Sequence, residues 1–190
     1  MLTGVEIKRK VVHLSSLIVP IGYVLTSQKT VLTFLIPLFL CFLLIDLLRH
    51  FYPGMGLFFQ KYIFGNILRE AERSRLMGAT YFLFSSILTI LLFPKSIAIA
   101  SLFILMLSDT AAALVGKWRG RVSIFGKTLE GSIAFFASAL LIVWVYPNLD
   151  RFPGFLAALG ATVVELLPTQ VDDNLTIPLV AGGILFFCVR

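Results

Sequence analysis

Seven apolar runs follow one another along the chain: Val11 to Thr26, Val31 to Leu48, Met77 to Phe93, Ser96 to Gly116, Ile133 to Tyr146, Phe155 to Leu167 and Leu175 to Val189. Runs of this length and composition predict helices that cross a bilayer. Several are at or below the roughly 17 to 20 residues that a span needs, so the count of about seven carries a margin of one. The first run follows Lys8, Arg9 and Lys10, and no small-x-small cleavage site comes after it. It reads as a retained helix rather than a signal peptide.

One segment breaks the pattern. Phe51 to Leu76 carries Leu57, Phe58, Tyr62 and Ile63 at helical spacing among polar residues, and then the charged stretch REAERSR. That spacing predicts a helix lying in the membrane interface. No repeat, low-complexity tract or linker divides the chain. The expected fold is therefore all-α: one polytopic transmembrane helical bundle over residues 1–190.

Composition supports this class. The chain has 190 residues, of which 58% are hydrophobic and 14% charged, and a mean hydropathy of +0.96. A soluble domain is not that apolar. Its net charge of +6 does not point to nucleic acid, because the bases sit in the short segments between apolar runs. Membrane topology explains them better. With a cytoplasmic N-terminus, twelve of the sixteen bases face the cytoplasm: Lys8, Arg9, Lys10, Arg49, Lys61, Arg69, Arg73, Arg75, Lys117, Arg119, Arg121 and Lys127. That is the positive-inside pattern. Nine of the ten acidic residues gather near the same face, all but Asp150. Cys41 and Cys188 lie inside apolar runs and suggest neither a disulfide framework nor a zinc site.

The chemistry centres on Ser108 to Ser132, SDTAAALVGKWRGRVSIFGKTLEGS. A carboxylate in a membrane costs roughly 2.5 to 3.5 kcal/mol on insertion scales, so Asp109 needs a partner, water or a metal. Asp109 and Gly116 are seven apart and share a helix face with Ala112, where small residues admit a close neighbour. Beyond them, Gly116 to Gly131 combines four glycines with Lys117, Arg119, Arg121 and Lys127. Glycines let backbone N–H groups turn toward an anion and bases neutralise phosphate. The stretch is no P-loop: five residues separate Gly120 from Gly126 where that motif has four, and no strand precedes it.

Glu165, in ATVVELLP, is a second carboxylate among apolar neighbours, and Asp172, Asp173 and Asn174 follow it. Carboxylates and an amide are hard oxygen ligands suited to Mg²⁺. At the other end, Arg9 and His13 are four apart on one helix face just inside the cytoplasmic surface. His13 suits proton transfer, a structural hydrogen bond or phosphate binding, and Arg9 and Lys10 join the candidate phosphate ligands. Asp46, Arg49, Glu70, Glu72, Arg73 and Thr80 complete the cytoplasmic rim.

The stretches EIKRKVVHL, EAERSRLMGATYFL, SDTAAALVGKWRGR, FGKTLEGSIAFF and VELLPTQVDDNLTIP, in that order from Glu6 to Pro178, resemble the polyprenol kinase family. That family includes dolichol kinases, phytol kinases and CTP-dependent diacylglycerol kinases. The Ser-Asp-x-x-Ala and Lys-Thr-x-Glu-Gly segments are also similar to phosphatidate cytidylyltransferases. Their C-terminal Pro-Gly-His-Gly-Gly signature is absent here, and the Arg-Lys-x-x-His opening favours the kinases.

The resemblance implies transfer of the γ-phosphoryl group of CTP, with Mg²⁺, to a membrane lipid hydroxyl. It implies Asp109, Asp172 and Asp173 on the metal, with Glu165 and Asn174 assisting. Arg9, Lys10, Lys117, Arg119, Arg121, Lys127, Thr128 and Gly131 would meet the nucleotide phosphates. Asp109, Lys127, Glu130 and His13 would form the catalytic set, with Asp109 or His13 taking the alcohol proton. The rival readings are a cytidylyltransferase and an ion-coupled transporter with Asp109 and Glu165 as carriers. A compact chain of this kind fits a bacterial inner membrane with the site on the cytoplasmic side, and a homodimer is among the oligomeric states left open.

Overall fold

The computed structural model describes residues 4–52, 54, 58, 59, 75–147, 149–169 and 171–188. Most of the expected interfacial helix, with Glu70, Glu72 and Arg73, lies outside the described residues. The elements are α1 (Gly4–Ser15), α2 (Ile18–Leu25), α3 (Gln28–Phe51), α4 (Gly78–Leu92), α5 (Lys95–Phe103), a π-helical turn (Ile104–Ser108) and α6 (Asp109–Arg119). After a hairpin of β1 (Ser123–Ile124) and β2 (Lys127–Thr128) come α7 (Leu129–Val145), α8 (Arg151–Leu166) and α9 (Asp173–Cys188).

Each predicted apolar run lies on helix, and two details depart from expectation. The first run is broken between Ser15 and Ile18. Pro20 supplies the reason: it has no N–H to give the Ser16 carbonyl, and its ring crowds that carbonyl. The fold is also not purely α, since Ser123 pairs with Thr128 and Ile124 with Lys127 in an antiparallel hairpin. Among the described residues two helices are long and apolar enough to cross a membrane, Gln28–Phe51 and the continuous Lys95–Arg119.

Lys95–Arg119 is the central rod. Ala98, Ala100, Leu102, Ile104, Leu105 and Met106 along it are fully buried. Around it α6 packs on α7, α7 on α8, α8 on α9 and α9 on α4. Close approach depends on small residues: Ala157, Ala158 and Ala161 of α8 are fully buried, and Gly160 faces Ile184 where a Cβ would lie 2.3 Å from its Cδ1. Van der Waals contact at small residues is how helices associate where no water drives them together. The outer face is apolar as well, with Ile18, Leu25, Phe34, Leu40, Val145 and Phe187 exposed. Apolar area on that scale fits a lipid surround better than water.

The start of α4 is held by a residue of α3. Asp46, only 2% exposed, accepts from the Met77 N–H at 2.9 Å and the Thr80 hydroxyl at 2.6 Å, and pairs with Arg49 at 2.7 Å. It thereby satisfies an orphan N–H at the helix start and places negative charge at the positive end of the dipole. Arg49 also donates to the Arg75 carbonyl at 2.9 Å. This corner of the rim is a clamp between helices.

Candidate active site

Asp109 is the first residue of α6, directly after the π-helical turn. A π turn adds a residue to the helix and changes which side chains face a given neighbour, and such turns recur at functional sites. Here the neighbour is α1. Lys10 Nζ lies 2.8 Å from Asp109 Oδ2 and 3.3 Å from its backbone carbonyl. His13 Nε2 lies 3.3 Å from the same Oδ2. Lys10 and His13 are three apart and share a helix face. Lys10, expected only among the phosphate ligands, thus meets this carboxylate together with His13.

A second cluster forms around Lys127 of β2. Its ammonium lies 2.8 Å from Asp173 Oδ2 and 3.2 Å from Glu165 Oε1, and it donates to the Glu165 backbone carbonyl. Glu165 is 5% exposed, and its Oε2 accepts from the Ser132 hydroxyl at 3.1 Å. Burial would depress the Lys127 ammonium, yet the hydrogen bond and charge of Asp173 and the charge of Glu165 outweigh it and raise the group above its ordinary value. Lys127 is thus a fixed cation at neutral pH.

Asp173 joins the two clusters. Ahead of the apolar run that begins at Leu175, it is held above the usual carboxylate range by burial, with Lys127 opposing and the charges of Asp109 and Asp172 reinforcing the rise. The Asp109 charge thus reaches Asp173 and links the two clusters electrostatically. Asp172 is occupied locally: its Oδ1 accepts from the Asn174 N–H at 2.9 Å and the Asn174 side-chain amide at 2.7 Å, at the start of α9. The Asn174 carbonyl in turn accepts from the Ser85 hydroxyl of α4 at 2.6 Å.

The glycine-rich loop positions Lys127. Phe125 (φ 51°) and Gly126 (φ 83°) form the two-residue turn of the hairpin, both with the positive φ that a type I′ turn requires. Thr128 then caps α7, accepting from the Gly131 N–H at 3.2 Å. A Cβ on Gly116 would lie 2.6 Å from Thr128 Oγ1, and one on Gly131 would lie 2.9 Å from both Thr128 Oγ1 and the Ala112 carbonyl. The small face that runs from Asp109 is therefore the seam between α6 and α7.

Glu130 serves the loop as well. It accepts from the Arg121 N–H at 3.0 Å and the Val122 N–H at 3.4 Å. Backbone N–H donors, its own and then that of Arg121, hold its carboxyl below the usual range. With Trp118, Arg119, Gly120 and Arg121 it lines a cleft of about 600 Å³. Lys117 and Arg119 end α6, where cations suit the dipole. Arg119 and Arg121 thus stand at this cleft. Ser132 and the clamping role of Asp46 carry no motif signal and emerge only from the packing.

Among the described residues no three His, Cys, Asp or Glu side chains converge as a ready metal cage. Mg²⁺ does not need one, since it binds through one or two carboxylates plus substrate phosphates and water. Asp109 and Asp173 fit that habit: two hard-oxygen groups whose mutual repulsion a cation would relieve. Glu165 fits it less well because its side chain is 7% exposed where those of Asp109 and Asp173 are 27% and 32%, and Asp172 gives its Oδ1 to Asn174 at the start of α9.

No protein-family model matches the chain and no solved structure matches it. An uncharacterized protein of Rickettsia prowazekii is 35% identical, over 92% of this chain and 90% of that protein. The CTP-dependent diacylglycerol kinase 1 of Saccharomyces cerevisiae is 28% identical over 95% of this chain and 72% of the yeast protein. That of Schizosaccharomyces pombe is 28% identical over 74% of this chain and 73% of its own length.

Proposed function

The chain belongs to the polyprenol kinase family, alongside the CTP-dependent diacylglycerol kinases, and from that premise we propose that it moves the γ-phosphoryl group of CTP onto the hydroxyl of a membrane lipid alcohol. The observation that carries the reading is the meeting of Lys10, His13 and Asp109, beside a second ion pair of Lys127 with Asp173, whose carboxylate feels the Asp109 charge. Phosphoryl transfer is positioning and charge neutralisation more than covalent chemistry by the protein. Two fixed lysines, two carboxylates and one imidazole supply those parts.

The lipid hydroxyl oxygen attacks the γ-phosphorus, the bond from that phosphorus to the β-bridging oxygen breaks, and CDP leaves with the electron pair. His13, oriented by Asp109, takes the hydroxyl proton; an imidazole held by a carboxylate is a suitable base near neutral pH. Lys10 and Lys127 exchange their carboxylate partners for phosphate oxygens as the nucleotide enters. Mg²⁺, held by Asp109 and Asp173, would neutralise phosphate charge when bound. Glu165 and Ser132 keep Lys127 aimed. The gathering of twelve of the sixteen bases in the segments on one side of the apolar runs supports a mouth at the cytoplasmic surface, where a lipid headgroup meets soluble nucleotide. Diacylglycerol, on the kinases' names, leads the acceptors, with polyprenol and phytol-like alcohols next.

The test uses purified protein in lipid with Mg²⁺ and CTP labelled at either the α or the γ position, offered diacylglycerol, an isoprenoid alcohol or phosphatidate. Label entering lipid only from the γ position is expected. Entry from the α position with release of pyrophosphate would make the protein a cytidylyltransferase and overturn the proposal.

A further inference from the structure

The cleft at the end of α6 has no part in the chemistry above. Its volume, about 600 Å³, lies within the range of small-molecule sites. Trp118 stands in its wall 76% exposed, with the Arg119 guanidinium 4.5 Å from the ring centroid. A large aromatic left in the open but steadied by a stacked cation is a platform for a heteroaromatic base.

The remaining wall supplies the polar complement. Glu130 offers a carboxylate and Arg121 a guanidinium. A carboxylate has about four acceptor sites, and the three backbone N–H groups that bear on this one, its own and those of Arg121 and Val122, leave capacity for another donor. Cytosine presents an amino donor beside two acceptors, its ring nitrogen and its carbonyl. A carboxylate next to a guanidinium matches that order. Uracil has a carbonyl in place of the amino group, which would set acceptor against acceptor. Glu130 is also only three residues from Lys127, so a base seated in the cleft leads its phosphates toward the lysine–carboxylate cluster.

We propose that the cleft of Trp118, Arg121 and Glu130 is the cytidine subsite: Trp118 stacks on the base, Glu130 accepts from its amino group and Arg121 donates to its acceptors. The assignment rests on the reading of CTP as the phosphoryl donor. It goes further by naming the residues that choose this base over uracil.

The test is direct binding. The chain has two tryptophans, and Trp144 lies near the far end of α7 beside Arg151. Trp144→Phe therefore leaves Trp118 as the sole reporter in an otherwise intact site. In that background CTP should quench the fluorescence saturably and at about tenfold lower concentration than UTP, and E130Q should bring the two within about threefold. In turnover, Trp118→Ala should raise the KM for CTP about tenfold with kcat within about twofold, and Trp118→Phe should restore most of the loss. Fluorescence indifferent to CTP, or an equal response to CTP, UTP and inorganic triphosphate, would overturn the subsite. CTP-selective quenching without γ-phosphoryl transfer would sink the kinase reading and leave the subsite standing. Transfer without quenching would do the reverse.

Discussion

Lys10 and Asp109 are 99 residues apart in sequence and 2.8 Å apart in space. The pair ties the amphipathic first helix to the central rod at the point where the π turn ends. Asp109 is 27% exposed in its side chain, so Lys10 and His13 approach it at an open mouth rather than in a sealed core. Substituting it should spare the fold. Asp109→Asn is expected to cut γ-phosphoryl transfer at least about a hundredfold, the scale on which a directly acting group is lost. Thermal unfolding in detergent should stay within a few degrees of the parent. Near-normal turnover by that variant would remove Asp109 from the reaction.

Glu165 and Lys127 should act as one unit. On the proposed reading, Lys127→Met removes a phosphate-binding cation, and Glu165→Gln removes a carboxylate that holds it at 3.2 Å. The first is expected to cost at least about a hundredfold in kcat/KM and the second about tenfold. Their combination should cost little beyond Lys127→Met alone, because groups in contact do not contribute independently. Additive losses in a double-mutant cycle would show that Glu165 has a task of its own, such as holding metal.

The seam between α6 and α7 offers a test of packing. Gly116→Ala puts a methyl 2.6 Å from Thr128 Oγ1, an atom already engaged as the cap of α7. Overpacking of this kind costs about 1 to 3 kcal/mol. The shift also reaches Lys127, the residue before Thr128, so activity should fall further than stability explains. Comparing unfolding midpoints with turnover per folded molecule separates the two effects.

How much of this was legible in the sequence depends on the range over which a signal acts. The apolar runs are local and each was found on helix; Asp109, the glycines and Lys127 stood out because charge and glycine are conspicuous in such a chain. Three features were not legible. The break before Pro20 was hidden because the apolar run continues through it. The hairpin was hidden because Phe125, a bulky residue at positive φ, is a poor turn former by itself. The partners of Lys10 and Lys127 come from helices far away in sequence, and spacing along one helix cannot report them. Arg119 and Arg121 looked equivalent to Lys127 as bases in one loop, yet Gly120 and the hairpin send them to the Trp118 cleft.

Asp46 predicts a loss of stability without loss of chemistry. It is buried against Arg49, Thr80 and the Met77 N–H. Asp46→Ala leaves the Arg49 charge and two donors without their acceptor, a change worth about 3 kcal/mol or more. Chemical unfolding should show that loss. The surviving folded fraction should keep its KM for CTP, since no described contact links Asp46 to Lys127 or Asp109.

The adjacent carboxylates Asp172 and Asp173 separate a metal-holding role from a structural one. Asp172 gives one oxygen to the Asn174 N–H and side chain at the start of α9. Asparagine keeps an oxygen in that place, so Asp172→Asn should leave both fold and Mg²⁺ requirement near those of the parent. Asp173 instead faces Lys127 and feels the charge of Asp109. Asp173→Asn removes one of two hard oxygen groups and frees Lys127 from one partner. It should raise the Mg²⁺ concentration needed for half-maximal transfer about tenfold, within the 10- to 100-fold range seen when groups supporting a metal are lost. Chelator should silence the parent and added Mg²⁺ should restore it. If Asp172→Asn shifts the Mg²⁺ requirement and Asp173→Asn does not, the metal sits on the other carboxylate and the loop that starts α9 must rearrange to bind it.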